Sequence, residues 1–220
     1  MTGASRGIGA AVARGLLDAG ARVFGLARSV AAERRDAWVG IPVDLTDDTA
    51  REVALDRILA ETVPDIVINN AGAFEMSPFA EQSLAGLDRM LAMNLRAPFA
   101  VARRLLPAMQ AREGGHHVLI GSVADHLAFP GNAAYAASKY GARGLHEVLV
   151  EEYRGSSVRC TLLSPGPTDT PLWDPIDPDR RDDLPSRRAM LRPEDVAETV
   201  RWLVTRPARM QVDWIRVGPA

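Results

Sequence analysis

A chain of 220 residues, 47% apolar and 25% charged, is long enough for one substantial hydrophobic core and too apolar to stay disordered. Its 26 basic and 28 acidic side chains leave a net charge of −2, so no bulk field recruits nucleic acid or an anionic membrane. A single cysteine, Cys160, excludes an intrachain disulfide framework or a cysteine-rich zinc site. No apolar run approaches the roughly 20 residues that span a bilayer, and the expected location is the cytoplasm.

In chain order, a glycine-rich opening leads into a helical pattern over 8–19, with Gly20 placed to end it. Apolar strands are predicted over 22–27 and 38–43, then a helix over 49–61 that Asp47 or Asp48 can cap. A strand over 65–69 precedes a long helical stretch, 84–110, which breaks into two near Asn94. A strand over 116–121, a helix over 134–152 and a strand over 157–164 follow, then a loop or lid rich in Pro, Asp and Arg around 171–190. Pro193, Glu194 and Asp195 suit the first turn of a helix over 193–205, and a strand over 211–217 closes the chain. Strands with little polar alternation are covered on both faces. Their alternation with helices predicts an α/β architecture, a doubly wound and mostly parallel sheet in a single domain over 1–220.

Three glycines in Thr2-Gly3-Ala4-Ser5-Arg6-Gly7-Ile8-Gly9 stand where a strand should turn into the first helix. Glycine lets backbone approach a pyrophosphate, and a helix N-terminus adds free N–H groups and a favourable dipole. The run resembles the cofactor loop of the short-chain dehydrogenase/reductase family. Further motifs stand in that family's order: Asp44, Asn69-Asn70-Ala71-Gly72, Asn94, Ser122, Tyr135-Ala136-Ala137-Ser138-Lys139 and Pro165-Gly166. The resemblance covers nearly the whole chain and implies a Rossmann-type fold. It also implies a strand ahead of the glycine loop, where this sequence has only Met1. The first strand is therefore expected to be missing through truncation or a misassigned start, as when an internal valine codon is read as the start.

The resemblance implies a nicotinamide dinucleotide held by Gly3, Ser5, Arg6, Gly7, Ile8 and Gly9. Asp44 and Leu45 would meet the adenine, and Asn70, Ala71 and Gly72 would run beneath its ribose. Relatives that select NAD carry an acid at the end of the second strand, where a carboxylate repels a 2′-phosphate. Here that segment reads Leu26-Ala27-Arg28-Ser29. Arg28 and Arg6 favour NADP (NADPH) over NAD.

Of the 26 basic residues, Lys139 is the one lysine. It lies four positions after Tyr135, on the same helical face about one turn on. A free tyrosine has a pKa near 10, and an ammonium beside it lowers that value. Arginine lacks the compact, rotatable donors that could also bind a ribose. The resemblance completes a set of Asn94, Ser122, Tyr135 and Lys139. In it Tyr135 donates the proton in hydride transfer between nicotinamide and a carbonyl or alcohol. Ser122 holds the substrate oxygen, and Asn94 anchors a relay water. Pro165, Gly166, Thr168 and Thr170 would face the carboxamide and pyrophosphate, and no metal is required. The alternative is a regulator or scaffold that binds a dinucleotide without turnover.

Substrate contacts are expected from 74–78, 125–132 and the lid, with Phe74, Met76, Leu127, Phe129, Leu172 and Trp173 making an apolar pocket. Arg180, Arg181, Arg187 and Arg188 alternate with aspartates, as in a solvated loop. His116, His117 and His146 are expected at strand edges or on the surface, and His126 near the substrate cavity. The family implies a homodimer or homotetramer assembled through the helices that carry Asn94 and Tyr135.

Overall fold

The computed structural model describes residues 1–220. Strands β1 (Val23–Ala27), β3 (Trp38–Pro42), β4 (Ile66–Asn69), β5 (Gly115–Ile120), β6 (Val158–Pro165) and β7 (Trp214–Val217) fall within a few residues of the predicted runs. An additional pair of residues, β2 (Arg34–Arg35), lies antiparallel to β3. Both residues are exposed and carry no apolar signature, so the sequence pattern gave no sign of them. All other pairings are parallel. The five residues of β1 are all buried, as the lack of polar alternation requires.

The sheet is split. One part has the order β1-β3-β2 and the other β4-β5-β6-β7, with Met1 and Thr2 bonded to β1 on one side and β4 on the other across a gap. Only the opening residues bridge it. The Met1 amine donates to the Phe24 carbonyl at 2.6 Å, Leu26 N–H donates to Met1 O, and Thr2 N–H donates to Ile68 O. The rest is an apolar groove of about 400 Å³ whose walls include Val23, Leu26, Ile66, Ile68 and Leu105. Burial pushes the Met1 amine down to about 5.

Helices cover both faces. On one side α1 (Gly7–Asp18) packs on α6 (Pro193–Val204), and Val12, Leu16, Val196 and Val200 bury against Ile68, Val118 and Leu163. On the other, α2 (Asp48–Glu61) and α4 (Ala97–Ala111) bury Leu55, Ile58, Val101 and Leu105 against Leu26, Val39 and Val67. The expected boundary signals operate. Gly20 follows α1 with φ +84°, Asp47 accepts from Ala50 N–H at 2.9 Å, and Asp195 accepts from Arg192 N–H ahead of Pro193.

The predicted break near Asn94 is a π turn, Ala92–Arg96, between α3 (Leu84–Leu91) and α4. Pro98 lacks the N–H that would bond back to the Asn94 carbonyl, so the ladder shifts there, and Ala97 N–H reaches Ala92 O. No helix is long and apolar enough to cross a membrane.

Candidate active site

The carboxyl ends of the strands open into a cleft of about 910 Å³, the position at which doubly wound sheets bind ligands. One end is the glycine turn. Gly3 and Gly7 adopt φ +67° and +55°, a region that side chains disfavour. A Cβ on Gly9 would stand 2.0 Å from Gly3 O, so Gly9 lets α1 close onto the turn rather than face the cleft. Helix α1 has no side-chain cap and no acid in its first turn, leaving its first N–H groups free for an anion. Thr2 holds the turn to the neighbouring loop by accepting from Asn70 and Ala71 N–H at 3.0 and 3.1 Å. Asn70 donates back to Gly3 O at 3.1 Å.

Ser5, Arg6, Ile8, Arg28, Leu45, Ala71, Gly72, Pro165, Gly166, Thr168 and Thr170 all line the cleft with these residues. Arg6 and Arg28 have no carboxylate partner, although most arginines facing the lid and helices are paired, as Arg187 is with Asp169 and Asp174. Asp44 stands at the edge of the cleft, between the lining residues Val43 and Leu45. Its carboxylate accepts from the Thr46 N–H and hydroxyl at 2.9 and 2.7 Å. Those bonds, ahead of the nearby Arg28, hold it below the usual carboxylate range. A free helix end, glycine surfaces that admit backbone contact and two unpaired guanidinium groups fit a dinucleotide carrying several phosphates.

The other end of the cleft gathers the reactive side chains. Ser122 stands just past β5, where its Oγ accepts from Ala124 N–H at 3.1 Å. Helix α5 (Ala133–Glu152) carries Tyr135 and Lys139, which are 9% and 7% exposed. Lys139 Nζ donates to Ile120 O at 3.1 Å and lies 5.8 Å from the Tyr135 ring centroid. Asn94 does not reach the cleft wall. Its Oδ1 accepts from Ala73 N–H at 2.8 Å, and its Nδ2 donates to Ala73 O and Ser138 Oγ, both at 2.9 Å. The side chain thus pins the loop after β4 to α5.

The electrostatics correct one expectation. Tyr135 is not lowered but pushed up to about 12, by burial first, with a hydrogen bond from Ser122 opposing and the Asp125 charge adding. Lys139 is pushed down to about 8, again by burial, which Asp125 opposes. Desolvation disfavours the charged form of each and is the largest influence on both.

Phe74 packs edge-on against Tyr135 at 4.7 Å and against Trp173 at 5.2 Å between centroids. Met76, Phe129 and Leu172 line the same end, while Leu127 is half-exposed and outside it. The expected lid is a chain of short turns, Pro171–Trp173, Pro178–Arg180 and Arg187–Ala189. Arg187 fastens it to Asp169 and Asp174, and Trp173 Nε1 donates to Thr168 O at 3.1 Å.

The histidines are not where they were expected. His116 and His117 are interior residues of β5, and His146 is buried on α5. His126 turns from the cavity toward Trp214, with ring centroids 5.3 Å apart. A residue absent from the expected reaction centre, Asp125, is fully buried behind Ser122. Its signal was in the sequence, because Ser122-Val123-Ala124-Asp125 has the spacing of a capping box, which the structure forms.

A family model described as short chain dehydrogenase matches residues 1–181. A protein of Escherichia coli (strain K12) described as a cyclic-di-GMP-binding biofilm dispersal mediator is 35% identical over 91% of this chain and 86% of its own. The human dehydrogenase/reductase SDR family member 11 is 32% identical over 100% of this chain and 92% of its own. Among solved structures, a metagenomic short-chain oxidoreductase in complex with NADP superposes with a TM-score of 0.83 at 33% identity, covering 100% and 95% of the two chains. 4-Hydroxyisoleucine dehydrogenase complexed with NADH gives 0.81 at 25% identity, covering 99% and 94%. With its parallel sheet, its glycine turn and a family model spanning most of its length, the chain belongs to the short-chain dehydrogenase/reductase family of oxidoreductases.

Proposed function

We propose that the protein is an NADP-dependent oxidoreductase that moves a hydride between nicotinamide and the carbonyl or alcohol carbon of a small apolar substrate. The observation that carries this reading is the pairing, in one cleft, of an uncapped helix end flanked by Arg6 and Arg28 with the buried cluster of Ser122, Tyr135 and Lys139. The residues fit NADPH, which when bound supplies the hydride. Gly3, Gly7 and the first turn of α1 would hold its pyrophosphate. Arg6 and Arg28 would hold a 2′-phosphate, each charge-assisted bond contributing about 1.5–3 kcal/mol.

Tyr135 serves as general acid and base. In reduction, a phenol kept protonated by burial gives its proton to the substrate oxygen, which Ser122 steadies from the end of β5. Lys139 stabilises the phenolate left behind and bonds the cofactor ribose. Asn94 keeps the loop after β4 against α5, so that Phe74 stays on the tyrosine ring. Phe74, Trp173, Phe129 and Leu172 offer the substrate apolar surface and no fixed charge, which favours ketones and aldehydes with hydrophobic substituents. A cytoplasmic homodimer or homotetramer is the assembly we propose. Phe99 on α4 and Tyr140 and Val148 on α5 are half-exposed apolar side chains, which supports association through those helices.

NADPH-dependent reduction of a panel of apolar ketones tests this reading. Tyr135→Phe should abolish turnover while NADPH fluorescence still reports binding, and retained turnover would remove Tyr135 from the acid role. A second reading is favoured by the relative described as binding cyclic-di-GMP: a nucleotide-binding regulator without turnover. Calorimetric binding of cyclic-di-GMP, together with no oxidation of bound NADPH by any carbonyl, would select it.

A further inference from the structure

Asp125 has no part in the proton transfer described above, yet no atom of it is exposed. Its Oδ2 accepts from Ser122 N–H at 3.0 Å and from the Ser164 hydroxyl at 2.6 Å, and its Oδ1 pairs with His126 Nδ1 at 2.7 Å. Ser164, near the end of β6, in turn accepts from Trp214 Nε1 on β7 at 2.8 Å. One carboxylate thereby joins the ends of β5, β6 and β7. The approach is close, since a Cβ on Gly121 would stand 2.3 Å from Oδ2. A helix cap needs a single acceptor and is ordinarily solvated. Burying a carboxylate for capping alone is a poor exchange, because the ion loses its hydration.

We infer that Asp125 is a positioning residue of the active site, whose carboxylate fixes the Ser122 backbone and lies beneath the cluster of Ser122, Tyr135 and Lys139. This rests on the proposed roles of Ser122 and Tyr135. The charge bears on both partners on α5, favouring the ammonium of Lys139 and disfavouring the phenolate of Tyr135. It thus favours the protonated form of both. Other groups facing it are His126 on its own turn and, from α5, His146 and Arg143. The Arg143 guanidinium reaches Asp125 O at 3.5 Å and covers the Trp214 ring. From β7, Arg216 also lies over that ring, and β6 presents the neutral Ser164.

The test uses Asp125→Asn and Asp125→Ala in the full chain. Asparagine keeps an oxygen for Ser122 and Ser164 and removes the charge, whereas alanine removes both. The first readout is ultraviolet phenolate titration with and without Tyr135→Phe, which needs no turnover. Asp125→Asn should lower the Tyr135 midpoint by about half a unit or more. The second is ketone reduction, in which Asp125→Ala should lose about tenfold or more in kcat and keep NADPH affinity within about threefold, with asparagine recovering most of the rate. An unshifted phenol titration with unchanged kcat would overturn the inference. So would a parallel fall of kcat, NADPH affinity and thermal midpoint that asparagine does not rescue. If Asp125→Ala does not fold, Ser164→Ala removes one bond to the carboxylate and takes its place in the kinetic arm. If no carbonyl is turned over by the unaltered protein, the proposed function fails, and the phenol titration still decides the place of Asp125.

Discussion

Mild acid should unfold this protein through histidines that lie far from its cleft. His116 and His117 sit inside β5, with His117 Nε2 accepting from Asn69 Nδ2 at 3.0 Å and His116 Nε2 bonded to Thr161 Oγ1 at 2.8 Å. Nδ1 of each is buried without a partner, so neither ring has a place for the charge of a second proton. Burial, with Arg159 nearby, pushes His116 down to about 4; burial, with His146 and His116 nearby, pushes His117 down to about 3. In the unfolded chain both titrate near 6.5. Between the two values the unfolded state binds more protons, so stability is full above about pH 6.5 and drains as pH falls toward the folded values. From pH 7.5 to 4.5 each histidine should cost about 2.5 kcal/mol, about 5 together. That is a large part of the roughly 5–15 kcal/mol that holds a domain folded. At about 2–4 °C per kcal/mol for a chain of this size, the thermal midpoint should drop by about 10–20 °C. His146, also lowered by burial, acts in the same sense. His117→Gln separates the terms, since it leaves an oxygen for Asn69 and nothing to titrate. Urea unfolding at half-unit pH steps should show a slope reduced by about half of the pair's contribution in that variant. A midpoint that stays flat between pH 7.5 and 5 in the unaltered protein would refute the assignment of buried neutral histidines.

Three substitutions examine the cleft. Arg28→Asp should reduce the preference for NADPH over NADH by about tenfold to a hundredfold, the loss of one charge-assisted phosphate bond, and an unchanged ratio of kcat/KM would free Arg28 from that role. Gly9→Ala places a methyl 2.0 Å from Gly3 O, so the turn must shift; NADPH affinity and thermal midpoint should fall together in a fluorescence titration and a melting scan. Trp173→Ala removes the aromatic edge on Phe74 and the bond to Thr168 O. It should raise KM for an apolar ketone about two- to tenfold with kcat little changed, and an unaltered KM would place the substrate elsewhere in the cleft.

Most of the fold was legible because its signals are local. Continuous apolar runs such as Val23–Ala27 mark strands covered on both faces, and the four-residue spacing of Tyr135 and Lys139 puts them on one helical face. Even the break in the long helix had a local cause in Pro98. What escaped depends on groups distant in the chain. His116 and His117 look like polar strand ends until β6 and α5 close over them. Asp125 looks like a cap until Ser164 arrives 39 positions later to share its carboxylate.

The same distinction explains the sign of the Tyr135 shift. Charge pairing is visible in a sequence, since a lysine four positions on is an obvious partner, whereas desolvation is the summed effect of Phe74, Ala124 and the strand ends packed around the ring. In this cleft burial dominates both members of the pair, raising the phenol and lowering the ammonium, and so separates an acid from a base that bare spacing would bring together. A phenol near 12 keeps its proton at neutral pH, so the phenolate is scarcely populated there. Asp125 beneath the pair acts in the same direction as burial on Tyr135, disfavouring its phenolate, and against burial on Lys139, favouring its ammonium.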